Sequence, residues 1–143
     1  MTTCTRRIQF CAGHRVHGHE NKCANLHGHN YVLLVTARAI KTHAELDRIG
    51  RVVDFSVLNE RIGGWIDEKW DHGFLLWKHD NDAIEAVAKV QKQKCYLMQN
   101  NPTAENMAKH ILDLSGSLLE DTGVELVNVV LWETENCYAE VSR

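Results

Sequence analysis

The tripeptide His27-Gly28-His29 has the type and spacing of a metal-binding pair. On a strand, residues i and i+2 project to one face, so both imidazoles can reach a single ion at Zn–N distances of about 2.0–2.1 Å. Gly28 points the other way and adds no volume. A third donor has to come from a neighbouring element. His14 is the candidate, because it sits just past a first strand that could run antiparallel to this one. Three histidines leave one coordination position open, as a catalytic zinc requires. His17-Gly18-His19 repeats the spacing, but it lies in a polar stretch with no apolar run to fix it. Preorganisation therefore favours His27 and His29.

Further groups stand near this pair in sequence or at element ends. Cys23 lies four residues before His27 and is a fourth ligand, a base or an inert thiol; near a dication its thiolate would be favoured. In Asp71-His72 the carboxylate can orient the imidazole for proton transfer, or the pair can simply cap a helix. Glu133 closes an apolar strand. There it can clamp an amidine-like pair of N–H groups with two parallel hydrogen bonds, or stand solvated in a turn. Thr103 and Glu105 open a helix and suit capping and the helix dipole, or a ligand bound at that terminus. Arg6, Arg7, Arg15, Lys22, Arg48 and Arg51 are the cations available to a phosphate group, and spacing selects none of them.

These residues need a scaffold. Ile8, Phe10 and Ala12 alternate within a first strand, residues 6–12. Residues 13–26 are polar and read as a loop. Residues 27–40 form a long second strand. It carries Tyr31, Leu33, Val35 and Ala37 on one face and Val32 and Leu34 on the other, which suggests a central or barrel strand buried on both faces. Leu58, Ile62, Trp65 and Ile66 follow helical spacing after Asp54, although Gly63-Gly64 weakens that helix. Ile84, Val87 and Ala88 suggest a short helix, and residues 95–98 a short strand. Asn101-Pro102-Thr103 is a helix start, with Met107, Ile111, Leu114 and Leu118 as its stripe and Gly123 beyond its end. Residues 124–132 and 138–142 read as two final strands. Strands, then helices, then strands give an antiparallel α+β domain spanning residues 1–143.

Composition narrows the classes of function. A chain of 143 residues with 44% hydrophobic and 24% charged residues is an ordinary globular domain with a real core. A formal net charge of −3 gives no expectation of nucleic acid or anionic membrane as partner. No apolar run approaches the roughly 18 residues of a membrane span, and the first nine residues do not read as a signal peptide. A cytoplasmic location is expected, where five cysteines would be free thiols. Walker A, G-x-G-x-x-G, G-x-S-x-G and Cys-x-x-Cys patterns are all absent.

Taken in order, several blocks resemble the 6-pyruvoyl- and 6-carboxy-tetrahydropterin synthase superfamily. They are Phe10-Cys11-Ala12-Gly13-His14, Cys23-Ala24-Asn25-Leu26-His27-Gly28-His29-Asn30-Tyr31, Val53-Asp54-Phe55, Asp71-His72, Asn101-Pro102-Thr103-Ala104-Glu105-Asn106 and Trp132-Glu133-Thr134. The resemblance implies a T-fold: a four-stranded antiparallel sheet with helices on one face, closed into a barrel by three copies, which often stack as a hexamer. It implies active sites between subunits, zinc on His14, His27 and His29, and Cys23 as general base. Asp71 and His72 would relay protons, and Glu133 would anchor the pterin with help from Thr103 or Glu105. The implied substrate is 7,8-dihydroneopterin triphosphate. The short Cys23-to-His27 spacing resembles the bacterial-type enzymes of the queuosine and deazapurine pathway, which form 6-carboxy-tetrahydropterin and release acetaldehyde and triphosphate. Pyruvoyl formation is the alternative on the same scaffold, and a non-catalytic pterin- or zinc-binding module is a third reading. Gly13 stands where the family usually has Ala, a departure expected to be harmless. The extra His17 and His19 leave another ligand choice open.

Overall fold

The structure, a computed structural model, describes residues 1–143. Strand β1 (Cys4–His14) and strand β2 (His27–Ala39) pair antiparallel, with Ile8 opposite Leu33, Phe10 opposite Tyr31 and His14 opposite His27. Strand β3 (Gly73–Trp77) and strand β4 (Cys95–Met98) are parallel to one another, and β3 is parallel to the end of β1. Strand β5 (Val124–Thr134) runs antiparallel to β2, and β6 (Cys137–Ser142) antiparallel to β5. The sheet order is β4-β3-β1-β2-β5-β6.

This corrects the expected sheet. Four antiparallel strands are present, but β3 and β4 extend them into a six-stranded mixed sheet. The segment Phe74-Leu75-Leu76-Trp77 is apolar on both faces, so it shows neither strand alternation nor a helical stripe. Its two faces feed different clusters. Leu75 enters the main core, while Leu76 packs with Ala83 and Val87 of a helix across the sheet.

The main core lies on one face. Ile8, Phe10 and Ala12 of β1, Tyr31, Leu33, Val35 and Ala37 of β2, and Leu126, Val129 and Leu131 of β5 all point there. They meet helix α1 (Phe55–Leu58), a π-helical turn (Asn59–Gly63) and helix α2 (Gly64–Lys69), which follow one another directly, and helix α4 (Ala104–Leu118). The π turn falls where the glycine pair weakens the helix. A Cβ on Gly63 would lie 3.0 Å from Asn59 Oδ1, so glycine leaves room for that side chain within the π turn. Helix α3 (Asn81–Ala88) packs under Leu76 on the other face, so the helices are not all on one side. Strand β2 is central, as expected, but only one of its faces is covered. Val32, Leu34 and Thr36 remain half-exposed.

One buried ion pair ties the end of β1 to α3. Asp80 is 1% exposed, and its carboxylate accepts from Arg15 Nε at 2.6 Å and from Nη2 at 2.7 Å. It also caps α3 through the Ala83 N–H. The Arg15 hydrogen bonds hold its pKa below the ordinary carboxylate value. Asp80→Ala leaves the partly exposed guanidinium without its partner and the helix without its cap, so we expect a loss of about 2–3 kcal/mol at pH 7. A carboxylate with a lowered folded pKa contributes stability above its unfolded value, near 4, and loses it as pH falls further. The difference between wild type and Asp80→Ala in urea unfolding should therefore shrink between pH 5 and pH 2. A constant difference would show that the pair is not its source.

Candidate metal centre and acid–base dyad

Strand alternation and register bring His14, His27 and His29 together. His14 is the last residue of β1 and lies directly opposite His27, and Ala12 lies opposite His29. All three imidazoles project to the helix-covered face, and their ligand atoms lie within 4.8 Å of one another. Beneath them is Tyr31, fully buried and stacked on Phe10 with ring centroids 4.9 Å apart. Its hydroxyl lies 3.3 Å from His14 Nδ1. Burial pushes that phenol up in pKa, aided by the nearby charges of Glu133 and Cys23, so it stays protonated.

The second nitrogen of each of two rings is already committed. His14 Nδ1 lies 2.7 Å from the Pro102 carbonyl, and His27 Nδ1 lies 2.6 Å from the Asn25 carbonyl. A carbonyl oxygen only accepts, so both Nδ1 atoms carry the proton. In the neutral rings both Nε2 atoms then present lone pairs. These two Nε2 atoms face one another at 3.1 Å. The Nε2 of His29 is buried without a hydrogen-bond partner, although Glu133 Oε1 is 3.4 Å away. Burial lowers the His14 pKa to about 4, and burial also lowers that of His29 against the pull of Glu133. Facing lone pairs and an orphaned nitrogen are unfavourable alone and suit a shared cation. Three neutral nitrogen donors, two with their tautomers fixed by carbonyls, are a set fitted to a borderline-soft divalent ion.

The remaining residues fall into three places. Cys23 lies in a short 3-10 turn (Lys22–Ala24) and is half-buried. Glu133 and Glu105 line one cavity of about 290 Å³ with Cys137 and Tyr138. Thr103 instead caps α4, accepting from the Asn106 N–H at 3.1 Å. His17 and His19 are not in the trihistidine cluster. His17 lies against Trp77, and His19 Nδ1 accepts from the Asn21 N–H.

Asp71 and His72 form a dyad of their own. Asp71 Oδ2 is 2.9 Å from His72 Nδ1, and its Oδ1 accepts from the Cys11 N–H at 2.9 Å. The His72 N–H donates to the Cys11 carbonyl. His72 adopts φ of 59° and is 78% exposed, so its Nε2 is open. His72 borders a depression of about 460 Å³ that is lined also by Cys11, Gly13, Gly28 and Asn30, and by His27 and His29 of the trihistidine centre. Residues of both faces of β1 and β2 line it, so the depression lies at the end of this strand pair. Within one chain no hydrogen bond or ion pair joins the dyad to the three imidazoles. Gly13 also has a reason to be glycine: a Cβ there would lie 2.6 Å from the Phe74 ring. Its departure from Ala is matched to Phe74 rather than neutral.

An α+β fold with a trihistidine centre at the end of a strand pair and an exposed Asp-His dyad defines a class of candidate metal-dependent catalysts. Residues 3–143 match the family model of 6-pyruvoyl tetrahydropterin synthase, and the chain belongs to that family. It is 44% identical over 142 residues to a 6-carboxy-5,6,7,8-tetrahydropterin synthase from Rickettsia bellii, covering 99% of this chain and 100% of that protein. An enzyme of the same name from Aquifex aeolicus is 34% identical over 158 residues, covering 95% and 94% of the two chains. Among solved structures, an uncharacterized protein from Wolinella succinogenes has a TM-score of 0.78 at 22% identity, covering 99% and 98% of the two chains. The Caenorhabditis elegans 6-pyruvoyl tetrahydropterin synthase has 0.71 at 23%, covering 99% and 95%. These likenesses establish the fold. No helix is long and apolar enough to cross a membrane.

Proposed function

We propose that this chain, acting as one domain, is a zinc-dependent lyase. It converts 7,8-dihydroneopterin triphosphate to 6-carboxy-5,6,7,8-tetrahydropterin with release of acetaldehyde and triphosphate, in cytoplasmic queuosine and 7-deazapurine biosynthesis. The observation that carries this reading is the trihistidine centre, with Glu133 beside His29 and Cys23 in the loop leading into His27, in a chain whose relatives bear that enzyme's name. The three imidazoles would hold zinc, which supplies a Lewis acid for the hydroxyl-bearing side chain of the substrate. Glu133 lies beside His29 and offers two oxygens to the pterin's paired N–H groups, with Glu105 lining the same cavity. Thr103 holds the start of α4 in place. Cys23 removes a proton from the substrate side chain. His72, oriented through Nδ1 by Asp71, receives or returns protons at Nε2.

We further propose that copies of the chain assemble so that one copy's dyad meets another's metal centre. Two features support this. The Cys11 N–H and carbonyl both turn away from β2, so by alternation Thr5, Arg7 and Gln9 present their backbone groups at an edge that no strand of this chain covers. The half-exposed Val32 and Leu34 lie on the uncovered face beside it. A trimeric barrel, alone or stacked as a hexamer, would pair such edges.

Zinc-loaded protein given 7,8-dihydroneopterin triphosphate should yield 6-carboxy-tetrahydropterin and acetaldehyde by mass spectrometry. Pyruvoyl-tetrahydropterin would overturn the product and keep the site. No turnover by zinc-loaded protein would overturn the lyase reading in favour of a binding module.

A further inference from the structure

The loop between β1 and β2, residues 15–26, carries Cys23, yet none of its residues is fully buried. Apolar packing cannot fix such a loop, so hydrogen bonds must. Arg15 anchors its start on Asp80. The Val16 N–H donates to the Cys23 carbonyl at 2.8 Å, closing the loop on itself. The next residue, His17, is held at both backbone groups by one side chain. Its N–H donates to Asn101 Oδ1 at 2.9 Å, and its carbonyl accepts from Asn101 Nδ2 at 3.0 Å. A side-chain amide offers a donor and an acceptor in one plane, so Asn101 does for His17 what a strand partner would do.

Asn101 is itself fixed. Its carbonyl accepts from Asn106 Nδ2 at 2.9 Å and from the Thr103 N–H at 2.8 Å, both at the start of α4. The carbonyl of the following residue, Pro102, holds His14 Nδ1. One dipeptide, Asn101-Pro102, therefore grips the cysteine loop with its first residue and a metal-site imidazole with its second.

We propose that Asn101 is a positioning residue for Cys23, setting the thiol's place relative to the trihistidine centre through the backbone of His17. This rests on the reading of Cys23 as the base. Misplacing a reacting group by about 1 Å lowers a rate about 100-fold. Asn101→Ala removes both contacts, and Asn101→Asp keeps the acceptor while losing the donor. With zinc-loaded protein and 7,8-dihydroneopterin triphosphate, Asn101→Ala should keep zinc content and KM near wild type and lower kcat about 10- to 100-fold. Asn101→Asp should fall between the two. The pH of half-maximal alkylation of Cys23, followed on its own peptide by mass spectrometry, should rise as the thiol leaves the cation's field. An unchanged kcat, or a kcat falling only in step with zinc content or melting temperature, would overturn the proposal. If wild type turns over no substrate, the lyase reading fails separately. The alkylation profile then decides alone, and an unchanged profile in Asn101→Ala sinks the positioning role.

Discussion

His27→Ala should fold, bind less than stoichiometric zinc and lose turnover of 7,8-dihydroneopterin triphosphate by about a thousandfold or more, the several kcal/mol a Lewis-acid metal supplies. His27 provides one of three donors. Its loss leaves His14 and His29, and two imidazoles do not complete a catalytic zinc site. The matched controls are His17→Ala and His19→Ala, which remove the other His-Gly-His pair. Both should keep one zinc per chain, because His17 lies against Trp77 and His19 accepts from the Asn21 N–H, outside the trihistidine cluster. Metal analysis after gel filtration reads all three variants. Retention of zinc by His27→Ala together with its loss from the other two would assign the metal to the wrong pair.

That His27 and His29, rather than His17 and His19, cluster with His14 was legible in the sequence because only that pair runs into a strong strand. Alternation along residues 27–37 puts His27 and His29 on the face of Tyr31 and Leu33, and the register of β1 then supplies His14. Two remote hydrogen-bonding groups were not legible in the same way. Pro102 contributes a main-chain carbonyl to His14, and no side-chain pattern records a carbonyl's direction. Asn101 was visible as part of a helix start, but its grip on His17 spans 84 residues and depends on tertiary placement. Strand β3 escaped because Phe74-Leu75-Leu76-Trp77 is buried on both faces, which erases the alternation that marks a half-buried strand. That omission hid a consequence for the site. β3 begins immediately after Asp71-His72, and its parallel pairing with Ala12–His14 fixes the dyad to the edge of β1 at Cys11. The resemblance had implied sites between subunits, and within one chain no hydrogen bond or ion pair joins the dyad to the imidazoles.

That separation makes the second large effect a test of assembly as well as chemistry. Cys23→Ala and His72→Ala should each lower kcat by about 100- to 10,000-fold, the range for a positioned acid or base, while zinc stays bound. His72 is 78% exposed, and Cys23 sits in a turn with no buried neighbour, so neither variant should disturb the core. Coexpressed in equal amounts, the two inactive chains should recover activity if each site takes Cys23 from one copy and His72 from the next. Random assortment in a closed ring leaves both groups intact at about a quarter of such sites. A site built within one chain has no intact version in that mixture, so its activity would stay at the level of the single variants. The expected recovery follows from an observed constraint: Asp71 is pinned to the Cys11 N–H, and the side chain of Cys11 lies on the face opposite His14. Moving the dyad off the β1 edge toward its own chain's imidazoles would break that hydrogen bond and strain the pairing of β3 with β1. Docking a second copy against the open edge at Thr5, Arg7 and Gln9 needs neither.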